Sequence, residues 1–400
     1  MSGIIKKFPK NFNLMVLNLC ISRLGTSYFG IIIIWITLVQ TNSSFYTGIV
    51  ASMTTIPYFL SIIVSAIVDN TKRRKMIAYL ANIVKILVPL AVISSIFFSD
   101  IIFKLLILSI AAFILTLGAD FLSAVRASWV KIFITSEQMF KQAVSFVASA
   151  QTIFQVLGYA ISGLFLTYNF YLPNLFLMLI FSLGLIPLFL IKYDESSLDI
   201  KKQSLTSATL ETFSFIFKEE ALFQVMSFVL IFNALFVMSS IFYASLVYFN
   251  NLNSIYLSGF FIAQVLGISL GSLLLSRIKG KSGRITSISM LAIGLAYLTL
   301  PFMPIFYLTY ISAIFAGLFF GIASSLTLTL ITKLSPVNIL ARVQGFLNTF
   351  VIAISFIGDI LSGYIVQLTS VNISFMLLGL SFIIISPLVF FFRKLSSIEV

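Results

Sequence analysis

The chain has 400 residues, of which 60% are hydrophobic and 9% charged, and it carries no histidine and a single cysteine, Cys20. A soluble domain could not keep that much apolar surface from water, so lipid has to serve as the solvent for much of it. The net charge of +13 sits in short clusters between apolar runs, which argues for membrane topology rather than nucleic acid binding. Without imidazoles or a second thiol, an internal disulfide, a histidine metal site and histidine-based catalysis are all excluded.

A bilayer core takes about 20 apolar residues per helix. In chain order, the charged and polar punctuation predicts spans at 12–39, 44–69, 76–98, 104–130, 139–167 and 171–192. After a polar linker over 193–220 come 221–248, 255–277, 285–303, 306–332, 343–368 and 372–392. The first span is too long for a cleavable signal peptide. Within the linker, Leu205 and the following 206–218, with Phe213, Ile216 and Phe217 among polar residues, read as a tether or a surface-lying amphipathic helix. The fold class expected is therefore an all-α membrane protein, with six-helix bundles at 1–192 and 221–400.

The loops test this count independently. With both termini placed in the cytoplasm, the basic residues alternate by loop, at Lys6, Lys7 and Lys10, then Lys72 to Lys75, Lys131 and Lys141, and so on to Arg393 and Lys394. Of the 25 basic residues, Lys104 falls in an external loop and Arg23, Lys85 and Arg126 fall within spans. The rest are cytoplasmic, which is the positive-inside pattern of a multi-pass protein of the cell membrane.

Several stretches add a resemblance. Between spans 2 and 3, Ser65-Ala66-Ile67-Val68-Asp69-Asn70-Thr71-Lys72-Arg73-Arg74 is similar to the loop signature of the major facilitator superfamily, Gly-x-x-x-Asp-Arg-x-Gly-Arg-Arg/Lys. Asp69, Arg73 and Arg74 match, whereas Ser65, Asn70 and Lys72 depart. Ile21-Ser22-Arg23-Leu24-Gly25 resembles the opening of the macrolide-efflux and enterobactin-exporter branch, with Thr26 where that branch often carries Asp. Phe121-Leu122-Ser123-Ala124-Val125-Arg126-Ala127 resembles its Phe-x-Pro-Ala-x-Arg-Ala, with Ser123 replacing Pro. Gly158-Tyr159-Ala160-Ile161-Ser162-Gly163 is a degraded antiporter motif, and Ser335-Pro336 through Arg342-Val343-Gln344-Gly345 is similar to the branch's turn into span 11. The resemblance implies a twelve-helix transporter with its substrate site near the membrane midplane.

Charges inside spans are costly, by about 2.5–3.5 kcal/mol each on insertion scales, so they must pair, face water, snorkel or work. Asn18, Ser22, Thr26 and Gly30 give span 1 a small polar face beside Arg23, and Thr116, Asp120, Ser123 and Ala127 do the same for span 4. The resemblance places both spans on the central cavity, so Arg23 and Asp120 are expected to face it, where they can pair. Arg126, about 120° round the helix from Asp120, is expected to latch onto Asp69 as part of a cytoplasmic gate with Arg73 and Arg74. Lys85 lies on span 3, peripheral in this fold, and is expected to snorkel or find a neighbour. Asp359 shares a stripe with Asn348, Ser355 and Ser362 on span 11 and suits either proton coupling or a structural hydrogen bond. Gln155, Asn233 and Gln264 are candidates for substrate contact.

Gly267-Ile268-Ser269-Leu270-Gly271 fits the nucleophile pattern of hydrolases, but it lies inside a span of a chain without histidine, where small residues let helices approach. No phosphate-binding loop, metal site or cofactor is expected, so any pumping draws on an ion gradient. The leading expectation is a monomeric, proton-coupled exporter of small amphipathic compounds. Uptake of a metabolite by symport or uniport, and a sensor that binds without translocating, stay open as alternatives.

Overall fold

Lipid offers the backbone no hydrogen bonds, so each spanning segment has to close its own as a helix. The computed structural model describes residues 8–193, 195, 213–336 and 340–399, and among these the chain is helical, with one isolated bridge between Lys281 and Glu399. Twelve of the described helices are long and apolar enough to cross a bilayer. They are α1 Lys10–Thr41, α2 Ser44–Asp69, α3 Arg74–Phe97, α4 Ile101–Phe133, α5 Glu137–Leu166 and α6 Tyr171–Leu190, then α7 Glu220–Phe249, α8 Ser254–Leu275, α9 Ser282–Phe302, α10 Phe306–Leu334, α11 Leu340–Leu368 and α12 Val371–Phe391. Of the topology charges, Lys6, Lys7, Lys201 and Lys202 lie outside the described residues, as do the side chains of Lys141, Arg342 and Arg393. The same holds for 206–212 of the linker segment; 213–218 are helical, with Ile216 buried and Phe213 against Phe346.

Local chemistry sets the ends. Asp100, Asn253 and Ser370 cap α4, α8 and α12 by accepting from the backbone N–H groups of Ile102, Ile255 and Ile373. The turns after α1 and α7, the first helix of each half, both use an asparagine in the left-handed region, Asn42 at φ 51° and Asn251 at φ 54°. Asparagine tolerates that conformation better than other side chains with a Cβ. In α2, Pro57 opens a 3-10 turn over Ile56–Leu60 and divides the helix into Ser44–Ser52 and Ser61–Asp69.

The contacts divide the chain into two units. The first holds Met1–Thr41 and Met53–Gln203, and in it α1 packs on α4, α5 and α6, and α3 on α4 and α6. The second holds Asn42–Ser52 and Ser204–Val400, so the first piece of α2 belongs with α11. Gly48 allows this approach, since a Cβ there would lie 2.5 Å from the Asp359 carbonyl oxygen. Ser44 and Ser245 share a hydrogen bond of 2.8 Å, and Ser43 donates to Gln367 at 3.1 Å. In the same unit α8 and α10 meet through Gly267, Gly271, Gly317 and Gly321, each against the other helix's backbone. The hydrolase-like pattern is thus a packing seam.

Candidate functional site

The polar groups of the first unit gather around one turn of α1. Asn18 donates to the Gly184 carbonyl at 2.8 Å and Asn82 to the Phe181 carbonyl at 2.9 Å, tying α1 and α3 to α6. On that frame Lys85 is fully buried: its Nζ donates to Ser22 Oγ at 2.7 Å and sits 4.3 Å above the Phe181 ring. Gly118 makes the room, because a Cβ there would lie 3.2 Å from the Lys85 stem. Arg126, 8% exposed, donates from Nη2 to the same Ser22 Oγ at 3.2 Å and from Nε to the Leu122 carbonyl at 3.0 Å.

One hydroxyl therefore accepts from two cations, whose nitrogens lie no more than about 6 Å apart. At an effective dielectric constant of about 20 their mutual repulsion is about 3 kcal/mol when both are charged. Among the described residues no carboxylate forms an ion pair with Lys85, Arg126 or Arg23. Arg23, half-buried on the same turn, donates from Nη2 to Gln155 Oε1 at 2.6 Å, and Gln155 in turn donates to the Tyr159 hydroxyl at 3.0 Å. Arg23 Nε is buried and meets no acceptor among the described residues.

Two expectations change here. Arg23 and Asp120 do not pair: Asp120 Oδ2 accepts from Ser61 Oγ at 2.7 Å, while Arg23 takes a neutral amide. Arg126 does not latch onto Asp69, because its side chain turns inward to α1, whereas Asp69 is exposed at the loop. The gate residues are held otherwise. Arg74 donates to Ser128 Oγ at 2.5 Å and to the Val68 carbonyl at 3.2 Å, fastening the end of α2 to α4, and Arg73 is exposed. Beside them, Trp129 Nε1 donates to the Tyr193 hydroxyl at 2.6 Å, and that hydroxyl donates to Glu195 Oε1 at 2.6 Å. Burial first, and then the Glu195 carboxylate, raise the Tyr193 phenol above its ordinary range. Glu195 also accepts from the Lys75 backbone N–H at 2.7 Å.

In the second unit Asp359 is 3% exposed on α11, in a buried stripe with Ser355 and Ser362; the side chain of Asn348 lies outside the described residues. Gln264 is enclosed, donating to Ser239 Oγ at 2.9 Å and to the Tyr297 hydroxyl at 3.4 Å. Asn233 donates back to the Val229 carbonyl of its own helix at 3.0 Å. The sequence reading missed the burial of Lys85, the shared role of Ser22 and the Ser61–Asp120 bond. The signal for Lys85 was present in Ala78, Ala81, Asn82 and Val88, a small-residue stripe at helical spacing on which it sits.

Comparisons with known proteins agree with this architecture. Residues 250–399 match the family model of the Major Facilitator Superfamily. No curated protein matches the sequence. Among solved structures, the chain is similar to the nucleoside transporter NupG, with a TM-score of 0.73 at 14% identity over 95% of this chain and 99% of that one. It is also similar to a POT family transporter in complex with 5-aminolevulinic acid, with a TM-score of 0.74 at 13% identity over 98% and 100% of the two chains. A POT family transporter in complex with a thioalcohol-conjugated peptide gives 0.72 at 12% identity over 97% and 99%. At these identities the likeness establishes the fold. The chain is a twelve-helix membrane protein with the major facilitator fold, and its C-terminal part carries that superfamily's sequence pattern.

Proposed function

We propose that this chain is a secondary active transporter of the major facilitator superfamily that moves a small organic molecule across the cell membrane by alternating access, exporting it in exchange for protons. The observation that carries the coupling is Asp120. Its carboxylate lies inside a span and is held by a neutral hydroxyl, Ser61 Oγ at 2.7 Å, rather than by a cation. An aspartate so placed gains or loses a proton by reversing one hydrogen bond, with no ion pair to break. Asp359, buried in the other unit, is a second candidate for the same work. Export is favoured by the stretches around Arg23, Arg126 and Arg342 that resemble the exporter branch.

The test uses protein in proteoliposomes with an internal pH dye and an acidic interior. Macrolides, other lipophilic drugs, siderophores and organic acids are supplied outside, together with nucleosides, short peptides and 5-aminolevulinic acid, the last three taken from the structural neighbours. Substrate-triggered proton efflux that disappears in Asp120→Asn is the expected result. Substrate movement without a proton signal, unchanged in both Asp120→Asn and Asp359→Asn, would refute proton antiport.

A further inference from the structure

We propose that the basic cluster of Arg23, Lys85 and Arg126 is a recognition site for an oxyanion, a carboxylate or phosphate group carried by the transported molecule. This rests on the transport reading above and names the chemical class of its substrate.

Three helices, α1, α3 and α4, bring three cations to one turn, and two of them share a single acceptor, Ser22 Oγ, at 2.7 and 3.2 Å. Arg126 is within electrostatic reach of both Lys85 and Arg23. Like charges gathered in a region of low dielectric are stabilised by a counter-charge, and the α4 carboxylate, Asp120, accepts from Ser61 on α2 rather than from the cluster. Among the described residues no other acid pairs with the cluster. An oxyanion on the bound substrate supplies such a counter-charge.

The three cations divide the work by burial. Lys85 and Arg126 are closed off behind Ser22 and act through their field. Arg23 is half-exposed, and its fork is only partly used: Nη2 meets the neutral Gln155 amide, and the buried Nε meets nothing among the described residues. A guanidinium edge with one neutral partner and one vacant donor matches a planar oxyanion, which accepts two parallel N–H bonds and adds charge to geometry. Gln155 is then the resting occupant that the substrate displaces, and its own bond to Tyr159 at 3.0 Å keeps it beside the site.

The experiment measures binding by the thermal unfolding shift of the purified full chain in phospholipid-free detergent, which needs no transport. Probes share one skeleton: benzoate and phenyl phosphate as anions, benzamide as neutral and benzylamine as cation, with inorganic phosphate alongside. At least one organic anion should stabilise the wild type where benzamide and benzylamine do not, and Arg23→Gln should weaken that anion at least tenfold. Arg23→Gln leaves the contacts of Ser22, Lys85 and Arg126 in place, so the variant should fold; Lys85→Met, which keeps Arg23, should weaken the anion severalfold through the lost field. Equal response to all four benzene derivatives, response to inorganic phosphate alone, or no response to any anion would overturn the proposal. So would Gln155→Ala weakening the anion as much as Arg23→Gln, since the amide would then be the recogniser. Transport of neutral compounds without anion binding defeats this inference and leaves the transport reading intact. Anion binding without any movement in proteoliposomes does the reverse.

Discussion

Ser22→Ala removes one oxygen and leaves two buried cationic donors without it. Hydrogen bonds to charged groups contribute about 1.5–3 kcal/mol each. The loss is partly offset, because Arg126 keeps its 3.0 Å bond to the Leu122 carbonyl and Lys85 keeps the face of Phe181. A destabilisation of about 2–4 kcal/mol follows. Lys85→Met replaces the buried amino group by an apolar group of similar length and removes a polar group whose burial is costly. In that background Ser22→Ala costs only the Arg126 bond, so the two substitutions should show a coupling of about 1 kcal/mol or more. Reversible denaturation in mixed micelles is the assay. Both tryptophans, Trp35 and Trp129, lie in the unit that contains the cluster, so intrinsic fluorescence reports on that unit. A cost under about 0.5 kcal/mol, or the same cost in both backgrounds, would refute the shared-acceptor geometry.

Two further outcomes test the frame around the site. Gly271→Val drives a branched side chain into the Leu318 carbonyl across the α8–α10 seam and should cost at least about 1–3 kcal/mol, whereas Gly30→Ala, with nothing within 4 Å of the added Cβ, should be neutral or stabilising, both read by denaturation followed with circular dichroism, since Gly271 lies in the unit without tryptophan. Tyr193→Phe strips the acceptor from the buried Trp129 Nε1 and the donor from Glu195; a loss of about 1–3 kcal/mol with a shift in Trp129 emission is expected, and an unchanged spectrum would show that the bond contributes nothing.

The spans were legible because lipid enforces them. The expected 12–39 and 104–130 appear as α1 Lys10–Thr41 and α4 Ile101–Phe133, longer by part of a turn at each end. Apolar runs count what the hydrocarbon must cover, while helices continue to their caps, as α4 does back to Asp100. What hydropathy could not show was the break in α2. Thr54, Thr55 and Pro57 leave the run apolar enough to count as one span, yet the 3-10 turn at Ile56–Leu60 divides it, and its first piece packs with α11. That association depends on Gly48 and Gly363 meeting backbone more than 300 positions away, which no local pattern encodes.

Depth in the membrane picks out the charged site residues, and the direction each faces on its helix sets its partner. Arg126 and Asp69 stand near the same end of their helices, which on depth alone predicts a pair. Azimuth decides instead: Leu115, Leu122, Val125 and Trp129 form the buried stripe of α4, and Arg126 lies on it. Lys85, on α3 and expected to snorkel or find a neighbour, does the latter, because its stripe of Ala78, Ala81, Asn82 and Val88 turns it inward against α4 and α6. A peripheral helix still has an inner face, and a lysine there has only the oxygens that neighbouring helices offer. In this chain the oxygen is Ser22, one residue from Arg23, and the same hydroxyl also serves Arg126. The consequence is physical: three basic residues that the sequence scatters over about a hundred positions are brought to one turn of α1, where a like-signed cluster in low dielectric gains from a counter-charge that reaches it.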